Sequence, residues 1–523
     1  MPINYLKIGN ATDLAGRDKK LYRILEIFPG FLSWATLLTL LAFSYFRPVW
    51  VAYFIIAFDV YWLLRVIYLG IHLIVAYREM KKNMKIDWQK KCEDFTPQSG
   101  KNGNVTWHDI IHLIILPTYN ESVEIIQTCL HSLVNDGYPT DKMIIVLAIE
   151  ERAGPAAKER ASQIKQKFGS QFKNFLITIH PDNIAGEIKG KGSNQAWAAR
   201  EVRQKIIDPQ NLNYDKIIVS VFDIDTCVYP GYFHCLTYKF LTVDKPHQAS
   251  YQPIPVYHNN LWQAPFFART TAISNTFWQM MQQIRKERLA TYSSHSMSWR
   301  ALVNIDFWST NMVSEDSRIF WHCLIAHHGD YRVEPLRFPV SMDVCMDKNR
   351  WRTLKNLYKQ QRRWGWGVEN VPYIIFNFIK DKSRKFKLRK KLFYVFIQLE
   401  GFHSWATNAL IIGVIGWMPM ILGGDRFNAT VLSNNLPGVT RTLMTLAMIG
   451  MVLSAIISTL LMPKRPAHYG FFKSVKMVLQ WICLPLTIVF FGAIPGLEAQ
   501  TRLMLGKYMG FWITPKERET HNA

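Results

Sequence analysis

Apolar runs long enough to cross a bilayer stand at both ends of this chain, and they constrain its fold more than any other feature. Residues 31–46 are apolar and stop at Arg47-Pro48, and residues 50–77 form a second, longer run. Each is near the roughly 17–25 residues that a bilayer-spanning helix needs. Asp59 and Arg65 interrupt the second run. Charged groups at that depth are expected to face protein or the interface rather than lipid. Three more apolar runs follow at about 393–422, 441–462 and 475–495.

Charge orients these runs. The chain carries 62 Lys and Arg against 39 Asp and Glu, a formal charge of +23. A basic balance suits nucleic acid, anionic lipid or an anionic substrate. No basic-aromatic motif of a nucleic-acid module is present, so no nucleic-acid partner is expected. Residues 380–391 hold eight basic side chains beside an apolar run, a juxtamembrane patch suited to anionic lipid. The linker 463–476 is basic and the loop 424–440 is not, which puts the first in the cytosol and the second outside. A full crossing by 475–495 would carry the C-terminus out. Pro485, Pro495 and Gly496 offer the alternative of a re-entrant or interfacial element. The first 28 residues are charged, with no secretory signal expected. The seven cysteines are odd in number and lack zinc spacing, and read as reduced thiols.

Between the apolar ends the pattern changes. From Asp109 to about Gly367, short β-branched runs alternate with helical stretches: Ile110–Leu116, Met143–Ile149, Phe175–Ile179 and Ile217–Phe222. Such runs read as buried parallel strands of an α/β sheet.

Four motifs on this middle segment carry chemistry. Leu116-Pro117-Thr118-Tyr119-Asn120-Glu121-Ser122 follows the first strand, where α/β sheets bind nucleotides; it also reads as a helix N-cap. Phe222-Asp223-Ile224-Asp225-Thr226 ends another strand. Two acids one residue apart can bind a divalent cation that neutralises a departing diphosphate, or merely cap a loop. Ser314-Glu315-Asp316 offers a carboxylate able to deprotonate a hydroxyl, and equally suits a helix N-terminus. Gln360-Gln361-Arg362-Arg363-Trp364-Gly365-Trp366-Gly367 pairs phosphate-binding groups with a flat face for a sugar ring, or makes an amphipathic interfacial helix.

In this order the four motifs resemble the membrane-integrated processive branch of family-two glycosyltransferases, which includes cellulose, chitin and hyaluronan synthases. The resemblance spans about Leu116 to Trp364. It implies an α/β GT-A (Rossmann-like) cytosolic domain combined with an α-helical transmembrane domain. It implies an inverting displacement on a nucleotide sugar, usually a UDP-sugar, with Mg²⁺ or Mn²⁺ as cofactor. By that resemblance Asp316 is the catalytic base, Asp225 the metal ligand and Asp223 a contact to the diphosphate region. Gln360 and Arg363 lie near the pyrophosphate, and Trp364 under the acceptor sugar. Pro117, Thr118, Tyr119 and Glu121 belong to the nucleotide loop.

Two further segments fit. Lys189-Gly190-Lys191-Gly192-Ser193-Asn194 is similar to the family's lysine loop, which takes Lys191 to the diphosphate. Phe511-Trp512-Ile513-Thr514-Pro515-Lys516 is similar to the FxVTxK gating loop of bacterial cellulose synthase, which requires a cytosolic tail. One departure stands out. Where the family has Asp-Asp-Gly after the second strand, this chain has Glu150-Glu151-Arg152, and Glu150 is the candidate to meet the base. His295, in Ser294-His295-Ser296, reads as structural.

The resulting expectation is a first part at 1–108 with two membrane helices and a connector, a catalytic domain at 109–367, and interfacial and membrane helices with a cytosolic tail at 368–523. The partners are a nucleotide-sugar donor, a polysaccharide or glycolipid acceptor and the bilayer, for a multi-pass protein of the plasma membrane. Ceramide glucosyltransferases share these motifs, so a single-transfer glycolipid enzyme is the alternative to a polymerase.

Overall fold

The computed structural model describes residues 5–97, 105–383 and 385–518. Arg384, within the basic patch, lies outside the described residues.

Two long helices lead the chain, α1 (Gly16–Phe46) and α2 (Pro48–Asn83). Pro48 sits at the start of α2, where its missing N–H costs nothing. Both run beyond the apolar stretches that mark them. α1 begins in the charged segment before residue 31, and α2 continues to Asn83, into what reads from sequence as a polar connector. Arg65 pairs with Glu400 at 2.7 Å and the Asp59 side chain is buried, so both interrupting charges face protein.

The middle of the chain folds around an eight-stranded sheet of order β3-β2-β1-β4-β7-β6-β8-β5. Its first half is parallel: β1 (Ile111–Pro117), α3 (Val123–Val134), β2 (Met143–Glu150), β3 (Asn174–His180), α4 (Lys191–Val202) and β4 (Ile217–Val221). β2 and β4 are buried at every residue. Successive side chains point to opposite faces. Ile114, Leu116, Ile145 and Leu147 therefore pack with Leu130 and Phe233 on one side. Leu113, Ile115, Ile144 and Val146 pack with Ala196, Ala199 and Trp299 on the other. Each such side chain contributes about 1.5–3 kcal/mol on burial.

The second half is mixed. It comprises β5 (Cys227–Val228), β6 (Ala249–Val256), α5 (Phe266–Ile284), β7 (Ser296–Ser298), α6 (Glu315–Ala326) and β8 (Arg332–Ser341). β7 is antiparallel to both β4 and β6, and β6 runs parallel to β8 with a register shift between Gln252 and Ile254. This is a mixed α/β sheet of GT-A type.

Helix α7 (Arg350–Gly365) leads to the C-terminal helices: α8 (Leu388–Gly413), α9 (Val431–Ala447), α10 (Ile449–Leu461), α11 (Phe471–Leu479) and α12 (Ile494–Met504). Four helical stretches, 16–46, 48–83, 431–461 and 471–504, are long and apolar enough to cross a membrane, or five if the pair 388–413 and 415–422, bent by 42°, counts as one span. The stretch expected at 441–462 starts ten residues earlier, at Val431, because Thr430 caps it and Pro437 is accommodated inside.

The stretch 471–504 is one of these, yet it packs on α5 and α7. Trp481 stacks on Phe277 of α5 at 5.6 Å between centroids, and Phe491 on Phe267 at 5.9 Å. Gly365 of α7 meets α12 so closely that a Cβ there would lie 3.1 Å from the Gly496 Cα. Turns of wider pitch at Val489–Ala493 and Pro495 near the start of α12 break its regularity.

Candidate functional site

The carboxyl ends of the parallel strands converge on one cluster of charge. Register aligns Pro117 with Ala148, and Ile115 with Val221. The loops after β1, β2 and β4 therefore leave the sheet side by side, as in open α/β sheets that bind ligands there.

After β1, Glu121 ties the loop together. Its Oε2 accepts from the Thr118 hydroxyl at 2.8 Å and the Tyr119 N–H at 2.7 Å. Pro117 ends the strand, and Thr118 N–H donates to Ala148 across to β2 at 2.8 Å. Thr118, Tyr119, Leu147, Ile149 and Arg160 line a shallow recess. Glu150 is buried at the end of β2 and accepts from Arg152 Nε at 2.5 Å, while the Arg152 guanidinium stacks 4.8 Å over the Tyr119 ring. Glu150 thus stands beside the β1 loop, but with its own cation.

After β4 come the two acids. Lys191, the first residue of α4, lies 2.7 Å from Asp223 Oδ1 and donates to both oxygens of Asp316, at 3.0 and 2.9 Å. One ammonium therefore joins the strand-end acid to the acid at the start of α6. Burial alone would push the Lys191 ammonium down, but Asp223 and Asp316 together hold it well above its usual range. Burial would likewise raise Asp223, and Lys191 and then Lys516 outweigh it and depress the carboxyl. Ser293 adds a hydroxyl donor to Asp223 Oδ2 at 2.7 Å. Next to Asp316, the Glu315 carboxyl is buried and pushed upward, by burial first and then by its charged neighbour.

Gly190 precedes Lys191 with φ +151°, and a Cβ there would come within 2.5 Å of the Phe511 ring. Both facts require glycine.

The start of α6 is held from behind by Glu369. Its Oε1 accepts from Ser314 N–H at 2.9 Å and Val313 N–H at 3.2 Å, and from the Ser314 hydroxyl. Its Oε2 accepts from Trp366 Nε1 at 2.9 Å. Arg318 ties the same helix to the Ile8 carbonyl at 2.8 Å and to Asn370 at 2.6 Å. His295 is wholly buried, 3.9 Å from Asp316, and burial lowers its pKa. Its Nδ1 meets the Tyr292 carbonyl at 2.9 Å, so it lies beside the cluster and also serves the fold.

The C-terminal segment closes the cluster. Lys516 forms an ion pair with Asp225, whose side chain is 1% exposed. Asp225 Oδ2 also accepts from the Asp343 N–H at 2.9 Å. Burial and Asp225 raise the Asp343 carboxyl, opposed by Arg518, which donates to it at 2.8 Å. Arg363 of α7 lies 4.9 Å from the Phe511 ring centroid, and Lys359 5.4 Å from that of Trp512.

Gln360 lies on α7 one turn before Arg363, half-buried. Trp364 packs half-buried against the apolar group around Met342, Val344 and Leu357. The structure therefore gathers Lys191, Asp223, Asp225 and Asp316, with Arg363 reached through the tail. It leaves Glu150 paired with Arg152 and Trp364 on apolar neighbours. Ser293, Asp343, Glu369 and Arg518 were not legible from sequence, because none stands in a spaced motif.

A divalent cation is the group that such a donor set would hold. Among the described residues no three His, Cys, Asp or Glu side chains are gathered as a ready metal site. Carboxylate oxygens nevertheless suit Mg²⁺ or Mn²⁺, which take one or two protein carboxylates and complete their shell with phosphate and water. The Lys516 ammonium on Asp225 is a stand-in charge at that position. The residues present fit the group.

No curated protein sequence matches the chain. Solved structures similar to it include the mannosyltransferase PcManGT from Pyrobaculum calidifontis in complex with GDP-Man and Mn²⁺, at 12% identity and TM-score 0.39, covering 77% of this chain and 98% of that one. Another is S. aureus TarS 1–349 in complex with UDP-GlcNAc, at 12% identity and TM-score 0.30, covering 67% and 91%. Both likenesses are distant. Residues 218–494, just over half of the chain, match the profile of glycosyl transferase family group 2, and the chain belongs to that family.

Proposed function

We propose that this glycosyltransferase is embedded in the membrane and moves a sugar, with inversion, from a UDP-sugar to a growing polysaccharide. The observation that carries this reading is the Lys191 ammonium shared between Asp223 and Asp316. It sets a base-capable carboxylate and a phosphate-facing cation within one hydrogen-bond network.

In this mechanism an acceptor hydroxyl attacks the donor C1 while Asp316 takes its proton. The C1–O bond to the diphosphate breaks, and the electron pair leaves with the diphosphate. Lys191 and Arg363 offset the charge that develops there. Thr118, Tyr119 and Glu121 shape the nucleoside side, with Glu150 beside them; Gln360 stands with Arg363 on the pyrophosphate side of α7, and Trp364 on the acceptor side. Asp225 would hold Mg²⁺ or Mn²⁺, which supplies further positive charge to the leaving diphosphate.

The domain division at 108 and 367 goes with this reading, with the catalytic domain cytosolic and the protein multi-pass in the plasma membrane. Tyr469 stacks on Trp262 at 6.1 Å, and Lys516 pairs with Asp225. The chain thus meets the 109–367 segment on both flanks of 471–504, which supports an interfacial element and a cytosolic tail. The tail at the donor acids, placed as a gating loop would be, favours the polymer over the single-transfer glycolipid.

The test is a donor screen with product mass analysis over time. A polymerase gives few long products early, with much donor unused. One defined lipid product from the start would transfer the assignment to the glycolipid reading. Release of nucleoside diphosphate from no donor would end both.

A further inference from the structure

A second charged cluster lies outside the transferase site, where the segment after α5 meets α2 and α8. Arg65 of α2 donates to Glu400 Oε1 of α8 at 2.7 Å and to the Tyr61 hydroxyl at 2.6 Å. Arg288 donates to the other oxygen of Glu400 at 3.3 Å. Arg285 stacks over the Tyr68 ring at 5.5 Å. Arg65 and Arg288 thus share the one carboxylate of Glu400, with the Arg285 guanidinium close to both, and the nearby Glu287 is exposed.

The cluster is short of an acceptor. Arg285 Nε is buried and has no hydrogen-bond partner among the described residues. A buried donor left without an acceptor is costly, and more so when charged. Burial, and next the Arg288 charge, disfavour the Arg285 cation as it stands. An anion between Arg285 and Arg288 would satisfy the orphaned N–H and offset the mutual repulsion.

The surroundings say what carries that anion. Seventeen helical steps separate Pro48 from Arg65, about 26 Å at 1.5 Å each. With Pro48 at the outer edge, as the membrane reading has it, Arg65 would stand near the inner edge of a hydrocarbon core about 30 Å thick. Beside it, Leu64 and Ile71 of α2 and Leu392 and Phe396 of α8 are all more than half exposed. Apolar faces next to an unsatisfied guanidinium at that depth match an acyl chain below a phosphate.

We propose that Arg65, Arg285 and Arg288 form a binding site for the phosphate of an anionic lipid in the cytosolic leaflet. The site rests on the membrane reading of α2 and α8. Arginine suits it because its planar fork gives charge-assisted, paired hydrogen bonds to phosphate oxygens. The site also touches function through the chain. Residues 285–293 run from it to Ser293, which donates to Asp223 at 2.7 Å, so a bound headgroup would anchor the segment that supports the donor acids.

Native mass spectrometry of the full chain in micelles doped with phosphatidylglycerol or phosphatidylcholine tests this. The wild type is expected to retain phosphatidylglycerol at least about tenfold more than phosphatidylcholine, a difference of about 1.4 kcal/mol. Arg285→Gln and Arg288→Gln should each lose that preference. Arg285→Lys, which keeps the charge but lacks the Nε donor, should lose most of it. Lys158→Gln, an exposed change away from the membrane-facing basic patch, should keep it. An unchanged melting temperature shows that the variants are folded. Equal retention of the two lipids, or equal loss in Lys158→Gln, would overturn the site. Displacement of the lipid by millimolar inorganic phosphate would assign the cluster to a soluble phosphate and overturn the lipid. A chain that stays in solution without detergent sinks the membrane reading; one that enters micelles without headgroup preference sinks this site alone.

Discussion

The donor side and the closing side of the cluster are built in different ways. On the donor side, Thr118, Glu150 and Asp223 each stand at or just past the end of a parallel strand, and Lys191 opens a helix packed on the same sheet. Local burial of Ile, Leu and Val fixes the strands, and the strands fix the side chains. On the closing side, Asp316 depends on Glu369 behind it, Arg363 on its approach to Phe511, and Lys516 reaches Asp225 from 291 residues away. The first arrangement is set by short-range pattern, the second by long-range packing. A donor side of that kind should tolerate changes at the closing side, whereas the closing side has no meaning without the donor acids.

The largest break is expected at the one group that serves both sides. Lys191→Met leaves the half-buried Asp223 and Asp316 without their shared cation. Turnover should fall by roughly 10²–10⁴-fold, the span covered by losing one preorganised electrostatic contact and disturbing the general base beside it. Steady-state transfer rates on detergent-solubilised protein measure it, and near wild-type turnover would show that the two sides are not joined through this ammonium.

Next is the cation. Asp225→Ala should lower turnover by roughly 10²–10³-fold, the scale for losing one preorganised electrostatic contact. Asp244→Ala, an exposed acid outside the cluster, should stay near wild type. Chelation should abolish wild-type transfer, with Mg²⁺ or Mn²⁺ restoring it. Full activity in excess chelator would remove the metal from the account.

A smaller effect separates the tail from the strands. Lys516→Met should tighten Mn²⁺ binding about tenfold, because a competing charged hydrogen bond worth about 1.5 kcal/mol is gone; electron paramagnetic resonance reads this without turnover. Deleting 511–523 should instead impair donor use, because Phe511 and Trp512 go as well, while the helices stay inserted. Unchanged Mn²⁺ affinity and unchanged kinetics together would make the tail contact incidental.

Acid should weaken both sides together, before any effect on chemistry. Burial depresses His112 of β1 to about 3 and His258 to about 4, below the ordinary value of about 6.5. A group with a depressed folded pKa contributes stability above its unfolded pKa, and loses it as pH falls towards the folded one. For a histidine, which must gain a proton to charge, this means falling stability from about pH 6.5 down to 4. Melting temperature should drop across that window, and His112→Asn should flatten the slope.

The same contrast explains what the amino-acid pattern revealed. β1, β2, β3 and β4 were legible to within one or two residues because β-branched runs bounded by turn residues need no distant partner. The mixed half was not: β7 is Ser296-Met297-Ser298, three residues with no hydrophobic period, made a strand by antiparallel pairing with β4 and β6. Asp223, Asp225 and Asp316 stood out by motif. Asp343 and Arg518 did not, since their importance lies only in meeting each other and Asp225. The stretch 424–440 reads as a loop between apolar runs, yet α9 begins at Val431, where Thr430 caps it and packing on α2 keeps Asn434, Asn435 and Pro437 helical.

The most direct test of the account is a paired measurement on Asp316→Asn, nearly isosteric with the native side chain. Donor affinity is read by equilibrium binding of the nucleotide sugar, and turnover by released nucleoside diphosphate with acceptor present. The account predicts donor affinity within about threefold of wild type and turnover lower by roughly 10²–10⁴-fold, the contribution of a positioned general base. Turnover near the wild-type level would contradict it, and Glu315 would then be the carboxyl to examine.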